Sequence, residues 1–200
     1  MLKNASEKDR GYLSFTQEVL TDFNFLIKEY GFRCVKTELT FVRYESEHVF
    51  VNVYHGRSSY ELGVEIGRLS KYPEQEESFA IGEIMELLGV RENEGFTFYQ
   101  ASTAERVKKF LPKLAQYVEK FAGEALQGNE VFFKQLRELQ SQISDNYLKS
   151  IKVSRIKQKA EIAWHAKNYS EVIKLYGEIK AELTPSENKR LEYAERKASR

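Results

Sequence analysis

Between Gly11 and Tyr30 the apolar residues Leu13, Val19, Leu20, Phe23, Leu26 and Ile27 return at intervals of three and four. That is the period of an α-helix with one buried face, and Gly31 offers a left-handed stop. The period then changes to two. "LTFVRYE", "HVFVNVY" and "SYELGVEIG" are rich in Val, Phe, Tyr and Thr and are separated by short polar breaks, which predicts three antiparallel strands in a meander. After the charged loop "KYPEQEE", the stretch "SFAIGEIMELLG" predicts a short helix carrying Phe79, Ile81, Ile84, Leu87 and Leu88 and ending at Gly89, and "GFTFYQAS" reads as a fourth strand. Beyond residue 101 the pattern is helical. Ser102 and Glu105 have capping-box spacing, and Val107, Phe110, Leu111, Leu114, Val118, Phe121 and Ala125 share one face. Pro112 predicts a kink or a restart near Leu111. After "QGNE", Phe132, Leu136, Leu139 and Ile143 form a further stripe that can run on through Tyr147 and Ile151.

These elements predict an α+β fold: an N-terminal helix, a three- to four-stranded antiparallel meander packed by helices, and an all-helical C-terminal extension. No Gly-, Ser- or Pro-rich linker marks a boundary, so the division rests on pattern and charge, with an α+β body over residues 1–145 and a helical hairpin plus capping helix over 146–200. The whole chain is nearly neutral, at 31 basic against 30 acidic residues. Lys149 to Arg200, however, holds thirteen Lys/Arg against seven Glu, +6 locally, which leaves −5 for everything before it. The extension is basic and the body acidic.

Within the extension, "AEIAWHAKNYSEVIKLYGEIKAELTP" places Ala160 and Ala163 in a first helix, Asn168-Tyr169 at a turn, and Val172, Tyr176 and Ile179 in a second helix. This spacing resembles a single tetratricopeptide helical hairpin. It departs from that family where Val172 and Ile179 replace the usual alanines and where Pro185 falls one residue late. Thr184 and Glu187 form a capping box around Pro185 and predict a last helix carrying Leu191 and Ala194. One repeat cannot bury a continuous core, so Trp164, Tyr176 and Ile179 are expected to lean on the body or on a second copy of the chain, making the hairpin a candidate homo-oligomer contact.

"VYHGRSSYELGVEIG" gathers a histidine, an arginine, two serines and a tyrosine within a few positions. Alternation turns Tyr60, Leu62, Val64 and Ile66 inward and Glu61 and Glu65 outward, so "HGRSS", with His55 and Ser58, reads as a hairpin loop and not as a catalytic cluster. No nucleophile elbow, phosphate-binding glycine loop or paired metal-ligand spacing occurs, and His48, His55, His165 and Cys34 stand apart. The reading therefore assigns no catalytic residue, no cofactor and no metal. Cys34, the only cysteine, excludes an internal disulfide and reads as a small core residue in a reducing compartment. "MLKNASEKDR" has no apolar leader region and no run reaches eighteen apolar residues, so a soluble, cytoplasmic protein is expected.

With Val49, Val51 and Val53 inward, the exposed side of the meander would present His48, Phe50, Asn52, Tyr54, Glu61 and Glu65, converging with Arg43 or Tyr44. Aromatic residues inside a charged rim have the composition of a protein interface. The "VRYESEHVFVNVYHGRSSYELG" meander, in an acidic α+β body, resembles bacterial immunity proteins that neutralise polymorphic toxins. The resemblance implies a non-catalytic binding module and a protein partner, a cationic toxin being the chemistry that fits. Two other readings stay open: an enzyme using Glu61 and Glu65 on a phosphodiester or small molecule, and a nucleic-acid accessory protein using Lys149, Lys152, Arg155 and Lys159. The second is disfavoured because no aromatic residues interleave those cations.

Overall fold

The computed structural model describes residues 11 and 13–198; the first ten, read above for a leader, lie outside them. The protein is α+β, and its chain divides into two compact units between Leu139 and Gln140. The first unit holds helices α1 (Phe15–Asp22) and α2 (Asn24–Tyr30), strands β1 (Arg33–Glu38), β2 (Phe41–Glu45), β3 (Val49–His55), β4 (Glu61–Arg68) and β5 (Ser78–Ala80), helix α3 (Ile81–Leu87), strand β6 (Tyr99–Gln100), and helices α4 (Ala104–Phe121) and α5 (Gly123–Leu126). The boundary falls inside α6 (Glu130–His165), and the second unit continues with α7 (Tyr169–Glu178) and α8 (Pro185–Ala198).

The strands form one antiparallel sheet in the order β1-β2-β3-β4-β5, with β6 also paired to β4. One face is fully apolar: Val42 and Tyr44, then Val49, Val51 and Val53, then Leu62, Val64 and Ile66, then Phe79. Against it pack Phe15 and Val19 of α1, Val107, Leu111, Leu114 and Val118 of α4, and Phe132, Phe133 and Leu136 at the start of α6. Burial of each such side chain stabilises the fold by about 1.5–3 kcal/mol. Helix α4 and the first turns of α6 thus satisfy their apolar faces on the valine side of the meander.

Several elements differ from their sequence pattern for identifiable reasons. The first helical stretch is two helices that share Phe23 as a cap at φ −95°, and Gly31, at φ 71°, closes the second. β1 is exposed at five of its six positions and is bulged between Cys34 and Lys36, so neither burial nor alternation announces it. Cys34 itself is half-buried, and burial pushes its thiol pKa up. "SFA" pairs with β4 as β5 before α3 begins, and the expected fourth strand shrinks to Tyr99–Gln100. Thr103, not Ser102, caps α4, accepting from Arg106 N–H at 3.3 Å, and the helix runs unbroken through Pro112. Tyr60 is no strand residue: it sits at φ 54°, with its N–H on the Gly56 carbonyl.

In the second unit Ile156, Ala160 and Ala163 of α6, Val172, Leu175 and Tyr176 of α7, Ile179, and Leu191 and Ala194 of α8 form a separate core. Asn168 caps α7 through its side chain, and Thr184 and Glu187 exchange N–H···O bonds of 2.7 and 3.3 Å at the start of α8. The hairpin therefore covers Tyr176 and Ile179 within residues 153–194, because α8 supplies the third wall that a lone repeat lacks. Trp164 packs edge-on against Tyr169 and Tyr193, with the Arg190 guanidinium 5.5 Å from its ring.

Trp164 is the only tryptophan of the chain, so its fluorescence reports this unit alone. Leu191→Ala, which opens the α8 wall, should cost about 2–5 kcal/mol in fluorescence-monitored urea unfolding. An unchanged midpoint would show that α8 does not seal this core.

Candidate functional site

The other face of the sheet is set by the β3–β4 register, in which Phe50 stands opposite Gly67, Asn52 opposite Glu65 and Tyr54 opposite Gly63. An ideal Cβ on Gly63 would lie 2.2 Å from Tyr54 Cζ, and one on Gly67 would lie 2.4 Å from Phe50 Cζ. Each ring is therefore laid across the neighbouring strand in the space its glycine leaves. This is the usual reason for glycine inside a strand, where another group approaches the backbone closely. Phe50 is consequently only 2% exposed. It is the floor of this face and not an anchor projecting from it, which corrects the expectation from alternation.

A guanidinium covers that floor. Arg43 lies 4.1 Å from the centroid of the Phe50 ring, donates from Nε to Glu45 at 2.6 Å, reaches Asn52 at 3.4 Å, and makes two 2.9 Å bonds from Nη2 to the Glu76 carboxylate. Stacking and a planar fork suit arginine, and lysine could not reproduce them. Tyr44, the other candidate for this face, points into the core, where its hydroxyl donates to the Val19 carbonyl at 3.4 Å. His48 stands ahead of β3, exposed beside Glu47 and six residues from Tyr54, about 20 Å along an extended strand. It does not join the cluster.

The remaining candidates do come together. Tyr54 is half-buried, and its hydroxyl pKa is pushed up to about 12, first by burial and then by the carboxylates of Glu65, Glu61 and Glu83. Glu65 accepts from Ser78 Oγ at 3.3 Å, and Glu83 accepts from Ala80 N–H at 2.7 Å. Neither Glu61 nor Glu65 enters an ion pair among the described residues. At one end of the face the carboxylates of Glu45 and Glu76 are held by Arg43, and at the other Glu61 and Glu65 stand around Tyr54 with no ion pair among the described residues. A depression of about 310 Å³ opens beside Tyr54, between Lys36, Glu38, Thr40, Phe41 and Arg57. Glu76 and Glu83 escaped the sequence reading: the first lies in an aperiodic loop, and the second is visible only as the third residue of α3, a position that commonly caps.

His55 needs a second correction. It is the last residue of β3, paired with Leu62, and 2% exposed. Its Nε2 lies 2.8 Å from the Ala101 carbonyl, and its ring stacks on Phe15 at 5.8 Å. Alternation in β3 turns it inward with the valines, so it is a satisfied core histidine, while Arg57, Ser58 and Ser59 form the exposed turn. Among the described residues no group of three or more His, Cys, Asp or Glu side chains is placed to hold a metal ion, and no helix is long and apolar enough to cross a membrane. No protein-family model, curated protein or solved structure matches the chain.

Two stability measurements follow from this geometry. Gly63→Ala should destabilise the parent by about 1–3 kcal/mol through overpacking against Tyr54, and the penalty should largely vanish in a Tyr54→Ala background; additive costs would mean that the ring does not occupy that space. His55→Ala should cost well above the ~0.5 kcal/mol typical of surface changes, since it opens a cavity and leaves the Ala101 carbonyl unpaired, whereas Ser58→Ala should stay within that range. Equal small losses would return His55 to the turn.

Proposed function

We propose that this protein is a non-catalytic binding module that holds a basic protein partner on the outward face of its sheet, at the Tyr54 end. One observation carries the reading: Glu61 and Glu65, which enter no ion pair among the described residues, flank a half-buried tyrosine, while the carboxylates at the other end of the same face, Glu45 and Glu76, are held by Arg43. A flat aromatic floor with carboxylates beside it is what a cationic surface patch fits. The resemblance to toxin-neutralising immunity proteins makes a basic toxin domain the first partner to test.

The test is capture of a basic partner by immobilised protein, followed by affinity measurement with the captured species. Tyr54→Ala should weaken binding by roughly 2 kcal/mol, about thirty-fold, as an anchor truncation does. Glu65→Lys should slow association chiefly at low salt, and neutralising Lys149, Lys152 and Arg155 should change little. Normal binding by both sheet-face variants, with failure of the α6 variants, would reject the reading.

A further inference from the structure

Helix α4 is a cationic element in an otherwise acidic body: Ala104–Phe121 carries Arg106, Lys108, Lys109, Lys113 and Lys120 against Glu105 and Glu119. Its cations are interleaved with rings, unlike those of α6. Tyr99 stacks on Phe110 at 4.7 Å and 14°, Tyr117 packs edge-on against Phe96 at 5.6 Å, and Phe96 against Phe98 at 6.0 Å. Guanidinium and ammonium groups lie over this strip along its length. Arg91 is 5.6 and 5.7 Å from the Phe96 and Phe98 rings, Arg106 and Lys109 are 5.9 and 5.7 Å from Phe110, and Lys120 is 4.8 Å from Phe121. Phe98, at the end of the strip, is 66% exposed.

Acidic residues of the adjoining segment are partly taken up, Glu86 at the end of α3 by Arg91 at 3.4 Å and Glu94 of the following loop by Lys120 at 2.7 Å. Arg106, Lys109 and Lys113 enter no ion pair among the described residues, are exposed, and follow one another at intervals of three and four on one side of α4. They line about 10 Å of helix. We infer that this strip binds single-stranded nucleic acid, the three cations following the phosphates while an unpaired base stacks on Phe98. Charge requires an anionic occupant. An exposed ring beside a cation track is the arrangement by which single strands are held without sequence preference, and a duplex keeps its base faces hidden. The strip uses none of the residues assigned to the partner-binding face, and neither proposal depends on the other.

The full-length protein should be titrated against a fluorescent oligothymidylate of about 16 nucleotides, with the matching duplex and poly-glutamate as parallel probes. The expected result is binding that weakens steeply with salt, is clearly tighter for the single strand than for the other two probes, drops at least about ten-fold in Arg106→Gln/Lys109→Gln, and drops several-fold in Phe98→Ala. Tyr54→Ala should bind the oligonucleotide as the parent does. Circular dichroism and an unchanged thermal unfolding midpoint confirm that the variants, changed only at exposed positions, remain folded. Absence of binding at low salt overturns the proposal, as do equal affinity for duplex or poly-glutamate, a Phe98→Ala or Arg106→Gln/Lys109→Gln variant that binds like the parent, or dependence on Tyr54.

Discussion

The register between β3 and β4 is the constraint from which both faces of the first unit follow. Side chains alternate along a strand, so pairing Val51 with Ile66 and Val53 with Val64 commits the valines to the core, and it commits Phe50 and Tyr54 to the opposite face across from Gly67 and Gly63. A slip of one residue would drive Glu61 and Glu65 under α4 and lift the apolar row into water. The glycines make the chosen register tolerable on the outer side, since a side chain at either position would collide with a ring. Once the rings lie flat, Arg43 can stack on Phe50, and Glu45, Asn52 and Glu76 gather around its guanidinium.

Much of this was legible in the sequence. The valine alternation gave the orientation of β2 to β4, and the capping box at Thr184 with Pro185 placed the start of α8. The flattening of the aromatics was also written there, although alternation alone misreads it: outward positions 61, 63, 65 and 67 read Glu, Gly, Glu, Gly, and the two glycines recur at the same interval of four as Phe50 and Tyr54 in the preceding strand. Exposed β1 carried no periodic signal, since a bulged edge strand needs none. His55 was misplaced because a polar residue before Gly56 looks like a turn, and only its contacts with Ala101 and Phe15, 46 and 40 positions away in the chain, hold it in the core.

Charge is distributed by element. The Tyr54 end of the sheet is acidic, α4 is cationic and ring-lined, and the second unit is basic. In that unit, part of the charge is spent on structure: Lys149 pairs with Glu182 at 2.6 Å, Lys157 with Glu187 at 2.8 Å, and Arg190 with Glu161. Where such a pair is exposed, as Lys149–Glu182 is, it contributes little stability, roughly 0–1 kcal/mol, and all three subtract from the charge available to a polyanion. The near-neutral total therefore conceals surfaces of opposite sign, and the placement of those surfaces, more than the total, decides which partners can approach.

The central claim is that the outward sheet face at Tyr54 is the surface that meets a protein partner. Hydrogen–deuterium exchange of the protein, free and saturated with the captured basic partner, tests it most directly, because amides under an interface exchange more slowly. The account predicts new protection concentrated in residues 41–68 and at the start of α3, with α7 and α8 unchanged. Protection confined to residues 149–198, with the sheet exchanging as in the free protein, would contradict it.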